Sequence, residues 1–466
     1  KNMIKERIEE IKAAKDADIP KWEQLVNQYD KSKHDVHTGI KFAGVSPKNL
    51  IKVDWAGQKL MCDRMVQMMN TIPIERVYEA EGEDQEVAKN IIEAVYKDNK
   101  IDAENNKRLH AYFASCEVAT MVVGIEEEHN RYGVPCKTRI KLVSTSPMER
   151  KYSSLNQGEL YPVFDEYGGM LGMGIGGQLS DESEFFNYYT KTTIEEYIKP
   201  KNGSWSGEAR ENEVGKIPFS YLYRMAAIYD GQENNIDVIE TIESSQGQVV
   251  KRNAAPLLEV KGEIGQNFAN IEREELERKS GVPREVWNVD GDGGIRFVDT
   301  PINADAPDRL INRIKSLIEE ESQLPLNLNL ETLKGLGNVS GETLKQVLMG
   351  AHLKVGQEKH AVIEFLDREM RIVKEYLALA LPKYAEAIHA VKVEHKVTPF
   401  TMNDETEDLN RNISRLNNNL TSRQEIMRNE GIKNPERILE EVNAENAEIA
   451  ATVNFAGANP YDFLDE

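Results

Sequence analysis

The stretch from Ser340 to Leu381 constrains this chain most. Apolar residues at Leu344, Leu348, Ala351, Val355, Val362, Leu366, Met370, Val373, Leu377 and Leu381 recur at intervals of three, four or seven, which lays one continuous apolar edge along one helix. At about 1.5 Å per residue such a helix reaches roughly 60 Å, about twice the diameter of a small domain. Two readings follow: a spine buried inside this chain, or a stave whose edge is completed by another copy. Gly350 and Gly356 each cost about 1 kcal/mol relative to Ala in a helix interior, so the pattern predicts a bend near them. Pro382 ends the helix. The segment in front, Leu324 to Gly341, alternates Leu and Asn and carries only Glu331 and Lys334 as charges. It reads as a loop, with the helix opening at Ser340-Gly341.

Upstream, Ile4, Ile8 and Ile11 mark a first amphipathic helix. Pro20 interrupts it, and Trp22, Leu25, Val26 and Tyr29 begin another. His34 and His37 stand three apart, a spacing that suits a metal on a helix, but no third ligand lies near and a structural role fits better. From Leu50 the pattern gives a helix ending near Asn70 and an extended Ile72-Pro73-Ile74, then a helix over Val87 to Asn99. Arg108 to Glu127 passes from helix into strand, and Ile140 to Tyr197 reads as an antiparallel meander of short β-runs with Gly turns.

Inside that meander, Gly172-Met-Gly174-Ile-Gly-Gly177 spells the dinucleotide fingerprint. The fingerprint has meaning only where a strand feeds a helix whose N-terminus receives a pyrophosphate, and no such unit surrounds it. A hairpin is favoured, with a dinucleotide-dependent enzyme as the alternative. Phe185, Phe186, Tyr188 and Tyr189 fit sheet packing better than base stacking. Ile236, Ile239, Ile242, Val249 and Val250 mark a helix closed by Pro256. Trp287 to Val298 has strand, turn, strand form. Its Asp290, Asp292 and Gly294 resemble a calcium loop, but Pro301 stands where the bidentate Glu belongs, so a plain hairpin is expected.

Asp305 and Pro307 open a further helix with Leu310, Ile314, Leu317 and Ile318 as its stripe, ended by Pro325. Beyond the long helix, Ala390 to Thr398 reads as a strand. Ser422 and Glu425 form a capping box, and Asn434-Pro435 starts a helix holding Ile438, Leu439 and Val442. From about Asn454 the periodicity fades. No apolar run approaches the roughly 18 residues of a membrane span. Cys62, Cys116 and Cys136 are odd in number and far apart, which reads as buried thiols. No Ser, His, Asp order, paired Cys spacing or P-loop offers a seat for catalysis, so neither an enzyme nor a cofactor is expected.

Three segments are more specific: Asn212-Glu-Val-Gly-Lys-Ile-Pro-Phe-Ser-Tyr221, Pro256-Leu-Leu-Glu-Val-Lys-Gly262, and Asn338-Val-Ser-Gly-Glu-Thr-Leu-Lys345 leading into the long helix. Together, and in this order, they resemble portal proteins of tailed bacteriophages of the SPP1-like class, and the resemblance runs over nearly the whole chain. It implies an α+β, helix-rich portal-protein fold. The wing would take residues 1–230, a stem helix 231–256, a β-rich clip 257–303 and a second stem helix 304–324. A tunnel loop would follow at 325–340, the wing again at 341–420 with one long kinked helix and a strand, and a crown with the C-terminal tail at 421–466.

The resemblance also implies a homo-oligomeric ring, usually dodecameric, at one capsid vertex of the virion, assembled in the host cytoplasm. Double-stranded DNA would pass through it during packaging and ejection. The terminase large subunit and then a head-tail adaptor would dock on it, the major capsid protein would surround it, and a scaffold protein is a further candidate partner. Another kind of head-tail connector ring is the alternative. Asn327, Asn329, Lys334, Gly335, Gly337 and Asn338 are implied to face the channel. A formal charge of −21 argues against a surface that grips phosphates, but suits both a slippery conduit and an ordinary solubilising surface.

Overall fold

The structure is a computed structural model. It describes residues 2–16, 19–39, 50–129, 133, 135–148, 158–179, 181–253, 257–261, 287–289, 294–298, 305–326, 346, 348–400, 412–429 and 434–456. The chain divides into two compact units, Lys1–Leu333 with Val347–Phe400, and Lys334–Gln346 with Thr401–Glu466.

The first unit opens with α1 (Asn2–Asp16), α2 (Ile19–Tyr29), the short α3 (Asp35–Thr38), α4 (Gly57–Asn70), β1 (Glu75–Glu79), α5 (Glu83–Asp98) and α6 (Ile101–Ser115). Pro20 does not separate two helices by breaking one. It sits in the first turn of α2, where its missing N–H has no helical partner to lose. The long hairpin β2 (Glu117–His129) and β3 (Pro135–Thr145) follows, then β4 (Glu159–Phe164), β5 (Met170–Gln178), β6 (Glu184–Thr190), β7 (Thr193–Lys199), β8 (Ser206–Glu211) and β9 (Phe219–Tyr223).

The meander is narrower than its sequence pattern. β4 to β8 form one five-stranded sheet in chain order, whereas β3 joins a separate sheet ordered β3-β2-β9. Alternation decides which face meets what. Met173, Ile175, Phe185 and Tyr189 face Ala119, Met121 and Phe219 of the three-stranded sheet. Phe186 and Tyr188 point the other way, where Tyr161, Trp205 and Ile8 of α1 cover them.

Past these sheets come α7 (Glu233–Asn253), β10 (Leu257–Lys261), β11 (Trp287–Val289), β12 (Gly294–Val298) and α8 (Asp305–Ser322). The expected plain hairpin at Trp287 to Val298 is not formed. β10 lies between β11 and β12, parallel to the first and antiparallel to the second. Backbone pairing with the earlier strand outcompetes the local turn.

The long helix is α9 (Met349–Ala380), followed by α10 (Ala385–Ala390) and β13 (Lys392–Lys396). Its edge is satisfied within the chain, which overturns the stave reading for this element. Val355, Val362, Phe365 and Leu366 pack with Met61, Met65, Tyr112 and Phe113 of α4 and α6. Further along, Met370, Ile372, Val373 and Leu377 pack with Ile92, Tyr96, Val122 and Ile388. The helix outreaches one core because it threads two. β13 pairs antiparallel with β1, placing Lys396 opposite Glu75 and Lys392 opposite Glu79.

The glycines do not break the helix. Gly350 lies in its first turn, and α9 continues through Gly356. A Cβ at Gly356 would meet nothing within 4 Å. Gly356→Ala is therefore expected to stabilise the chain by about 0.4–1 kcal/mol, by restricting the unfolded backbone without a clash. A urea titration showing a lower midpoint would contradict the open space at that position.

In the second unit, residues 412–417 are helical, followed by α11 (Arg423–Asn429) and α12 (Pro435–Ala456). The capping box is half as expected. The Glu425 amide donates to Ser422 Oγ at 3.1 Å, but the Glu425 carboxylate accepts from the Thr421 hydroxyl at 2.9 Å. Pro435 opens α12, which runs past Asn454 to Ala456. No described helix is long and apolar enough to cross a membrane.

Candidate functional site

The residues singled out for a channel, Asn327, Asn329, Lys334, Gly335, Gly337 and Asn338, lie outside the described residues, as do Ser340 and Gly341. The base from which that segment departs is described. Leu324 and Leu326, just past α8, and Leu348, which caps α9, are all buried in the same core cluster. Gln323 turns the chain with φ 60°, and a Cβ on Gly350 would lie 3.4 Å from the Gln323 carbonyl oxygen. Leu326 and Leu348 are thus held in one buried, apolar core near the end of α8.

Helix α7, which packs beside α8, is registered by a polar ladder. The extended segment Ile51 to Trp55 runs along it. The amides of Ile51, Val53 and Trp55 donate to Gln248 Oε1 at 3.2 Å, Ser244 Oγ at 2.9 Å and Glu240 Oε1 at 2.8 Å. The match is geometric: four helical residues advance about 6 Å, and two extended residues about 6.6–6.8 Å. Side chains one turn apart thus meet every second amide, and a one-residue slip would break all three bonds. Gly247 makes room, since a Cβ there would stand 2.8 Å from Ile51 Cγ2.

His34 belongs to this ladder. It is buried, with Nδ1 2.7 Å from Glu240 Oε1 and Nε2 2.8 Å from the Gln28 carbonyl oxygen. The Gln28 carbonyl and an ionised Glu240 can only accept, so this geometry favours the imidazolium, which donates from both ring nitrogens. Burial pulls its pKa down, but the hydrogen bonds to Glu240 and Gln28 and the charges of Glu240 and Asp237 outweigh that and leave it raised. Asp54 is bonded by Lys31 at 2.6 Å and His37 at 3.1 Å, and the bond from Lys31 holds its carboxyl below the usual range. His34 thus bonds Glu240 and His37 bonds Asp54, and the two histidines do not converge on a metal. Among the described residues no group of three or more His, Cys, Asp or Glu could hold one.

The glycine-rich segment has a packing role in place of a phosphate-binding one. It is the middle of β5, buried between strands, and no helix follows it. On one face a Cβ at Gly174 would lie 2.9 Å from Phe186 Cζ and 3.1 Å from Tyr161 Cβ, and a Cβ at Gly176 would lie 2.8 Å from Phe186 Cδ2. The rings occupy the space that side chains would fill, which overturns the dinucleotide alternative. Gly174→Val is expected to cost about 1–3 kcal/mol through overpacking. An unchanged urea midpoint would refute this account of the motif.

Asp290 and Asp292 lie outside the described residues. Cys62 and Cys116 are buried and free; burial pushes the Cys62 thiol well above its ordinary pKa and Cys116 to about 12, which leaves both unreactive. Cys136 has no described side chain.

Sequence reasoning missed Glu240, Ser244 and Gln248, although three polar residues spaced by four, with Gly247 beside the last, were a readable signal. It also missed Arg108 and Glu369. Arg108 on α6 lies 3.0 Å from Glu369 on α9, with both side chains almost fully buried. Arg108 also donates to Ser144 Oγ on β3 at 2.9 Å and to Asn105 Oδ1 at 3.3 Å.

The family model described as Phage portal protein, SPP1 Gp6-like, matches residues 8–452. No curated protein matches the chain. Among solved structures, the "Virion of native gene transfer agent (GTA) particle" is 11% identical with a TM-score of 0.36, over 80% of this chain and 90% of that one. The "Neck of native GTA particle computed with C12 symmetry" is 10% identical with a TM-score of 0.36, over 79% and 89% respectively. Likenesses this loose carry no structural argument.

Proposed function

Because the chain belongs to the SPP1 Gp6-like family of phage portal proteins, we propose that it is one subunit of a closed ring at a unique vertex of a phage-type capsid. Double-stranded DNA enters through the ring during packaging and leaves through it on ejection. In this reading, residues 1–230 and 341–420 form the wing, 231–256 and 304–324 the stem, 257–303 the clip and 421–466 the crown and tail. The terminase large subunit docks on the clip during packaging, and a head-tail adaptor replaces it. Twelve subunits, assembled in the host cytoplasm, are the expected number. The ring acts as a conduit and a platform, not as a catalyst.

The observation that carries the reading is the family match across residues 8–452. The order helix 233–253, three-stranded sheet, helix 305–322 and then the segment 327–347 supports it. Asn327, Asn329, Lys334, Gly335, Gly337 and Asn338 are proposed to face the DNA, with amides and glycines giving contacts too weak to hold a polyanion. Since the edge of α9 is covered within the chain, subunits must meet through other surfaces. The test is negative-stain microscopy of the purified chain. Class averages with a central hole are expected, and a compact particle lacking one at every concentration refutes the ring.

A further inference from the structure

The β4–β5 hairpin ends in an exposed knob. Tyr167 at its tip is 88% exposed, next to the exposed Glu166. The pairing of β4 with β5 shifts at Val163/Phe164, so Leu171 is left opposite no residue and stands 53% exposed. The tip is built rigidly. Asp165 Oδ1 accepts from the amides of Tyr167 at 2.9 Å and Gly169 at 2.6 Å, and Gly168 supplies φ +79°. A large aromatic side chain held in solvent by a stiff turn has no partner among the described residues to explain it.

A groove of about 420 Å³ lies between α9 and β13, floored by Ile363, Met370 and Val393 and rimmed by Arg371 and Lys374. The groove's own carboxylates are engaged: Asp367 meets His395 at 2.6 Å and Glu364 meets Arg368 at 2.8 Å. Arg371 Nε donates to the Asp367 carbonyl, and Lys374 Nζ to the Val391 carbonyl. Both cations thus face an apolar floor with no carboxylate partner among the described residues. Burial lowers the Lys374 pKa accordingly.

Knob and groove lie on opposite faces of the unit. Ser220 on β9 donates to the Phe365 carbonyl of α9 at 2.6 Å, so alternate residues Tyr221 and Tyr223 face away from that helix. Phe164, at the knob's base, packs on those two rings at 6.4 and 6.3 Å between centroids. On α9, at about 100° per residue, positions 360, 367, 371 and 374 fall opposite Phe365, Glu369 and Ile372. A knob on one face and an apolar, cationic groove on the other cannot meet within one chain.

We propose that Tyr167 and Glu166 of one copy seat in the groove of the next copy, Tyr167 against Ile363, Met370 and Val393, and Glu166 against Arg371 and Lys374. The contact is head-to-tail, so it propagates until a ring closes. It rests on the ring reading and names the surfaces that reading leaves open.

The test is sedimentation velocity on the full chain carrying Glu166→Lys, Arg371→Glu, or both. Both side chains are exposed, so folding is undisturbed. Each single swap is expected to raise the half-assembly concentration about tenfold, and the double swap to restore it. In parallel, Tyr167→Cys chains mixed with Arg371→Cys chains should give a covalent dimer on oxidation, above the background of the unaltered chain. Single swaps that assemble normally, a double swap that does not recover, or no excess dimer would overturn this contact. So would dimerisation of Tyr167→Cys chains alone, which signals knob-on-knob pairing. Normal rings from both single swaps would sink the contact and leave the ring standing, whereas an unaltered chain that is monomeric at every concentration removes both.

Discussion

Glu369→Ala is expected to destabilise the first unit by about 3–5 kcal/mol, because it strands the Arg108 guanidinium in a fully buried site. Their ion pair, at 3.0 Å with side-chain exposures of 2% and 0%, joins α6 to α9 where the two cores meet. Arg108→Ala should cost about as much for the converse reason. The pair is incompletely satisfied, since Arg108 Nη2 and both Glu369 carboxylate oxygens have no hydrogen-bond partner among the described residues. Its attraction therefore offsets little more than its own desolvation. The double replacement Arg108→Met with Glu369→Leu should recover at least about half of the single-variant loss. Urea denaturation of the unaltered chain, the singles Arg108→Met and Glu369→Leu and this double replacement closes the double-mutant cycle. Additive losses would mean that the pair is not coupled and that each residue acts through other contacts.

Raising the pH is expected to loosen the ladder that registers α7. The His34 pKa is raised above its ordinary 6.5, so the folded state holds the proton more tightly than the unfolded chain. Its contribution is fully present below about pH 6.5 and is lost as pH climbs through the raised folded value. Loss of the imidazolium removes a charge-assisted bond worth about 1.5–3 kcal/mol and leaves Glu240 buried opposite a neutral ring. Asp35 and Asp237 also face this cluster. Burial, then the charges of Asp35, Glu240 and Glu233, push the Asp237 carboxyl up against the opposing charge of His34, so it too favours the protonated side. Hydrogen exchange at the amides of Val53 and Trp55 should quicken, beyond the intrinsic pH effect, as the pH is raised above about 6.5. His34→Gln should remove the share of that pH dependence that His34 carries and leave the smaller share of Asp237. Protection that stays constant as the pH rises would show that His34 does not control the ladder.

Local patterns were legible where the deciding forces are local. The apolar edge of α9, the Ser422 cap, the strand at Lys392–Lys396 and the packing role of Phe185, Phe186, Tyr188 and Tyr189 followed from period and turn chemistry. Leu310 shows the limit: its spacing fits the α8 stripe, yet it is 49% exposed while Ile311 is buried, because the neighbouring helix, not the period, chooses the face. The glycines of β5 were legible as being out of place for a nucleotide. Their purpose became visible only with Phe186 and Tyr161 laid against them.

Sequence alone determined that a long one-edged helix exists, that two helices bracket a β-segment before it, and that three motifs place the chain among phage portals. Tertiary structure decided what covers that edge, and the answer was two internal cores. It also decided that β10 slips between β11 and β12, and that Glu240, Ser244 and Gln248 meet the amides of Ile51, Val53 and Trp55. The reason is one of range. Helical period and capping are set by residues within about four positions, whereas the partners of a buried edge, a charge or a glycine come from anywhere in the chain, and their identity is fixed only when the chain closes around them.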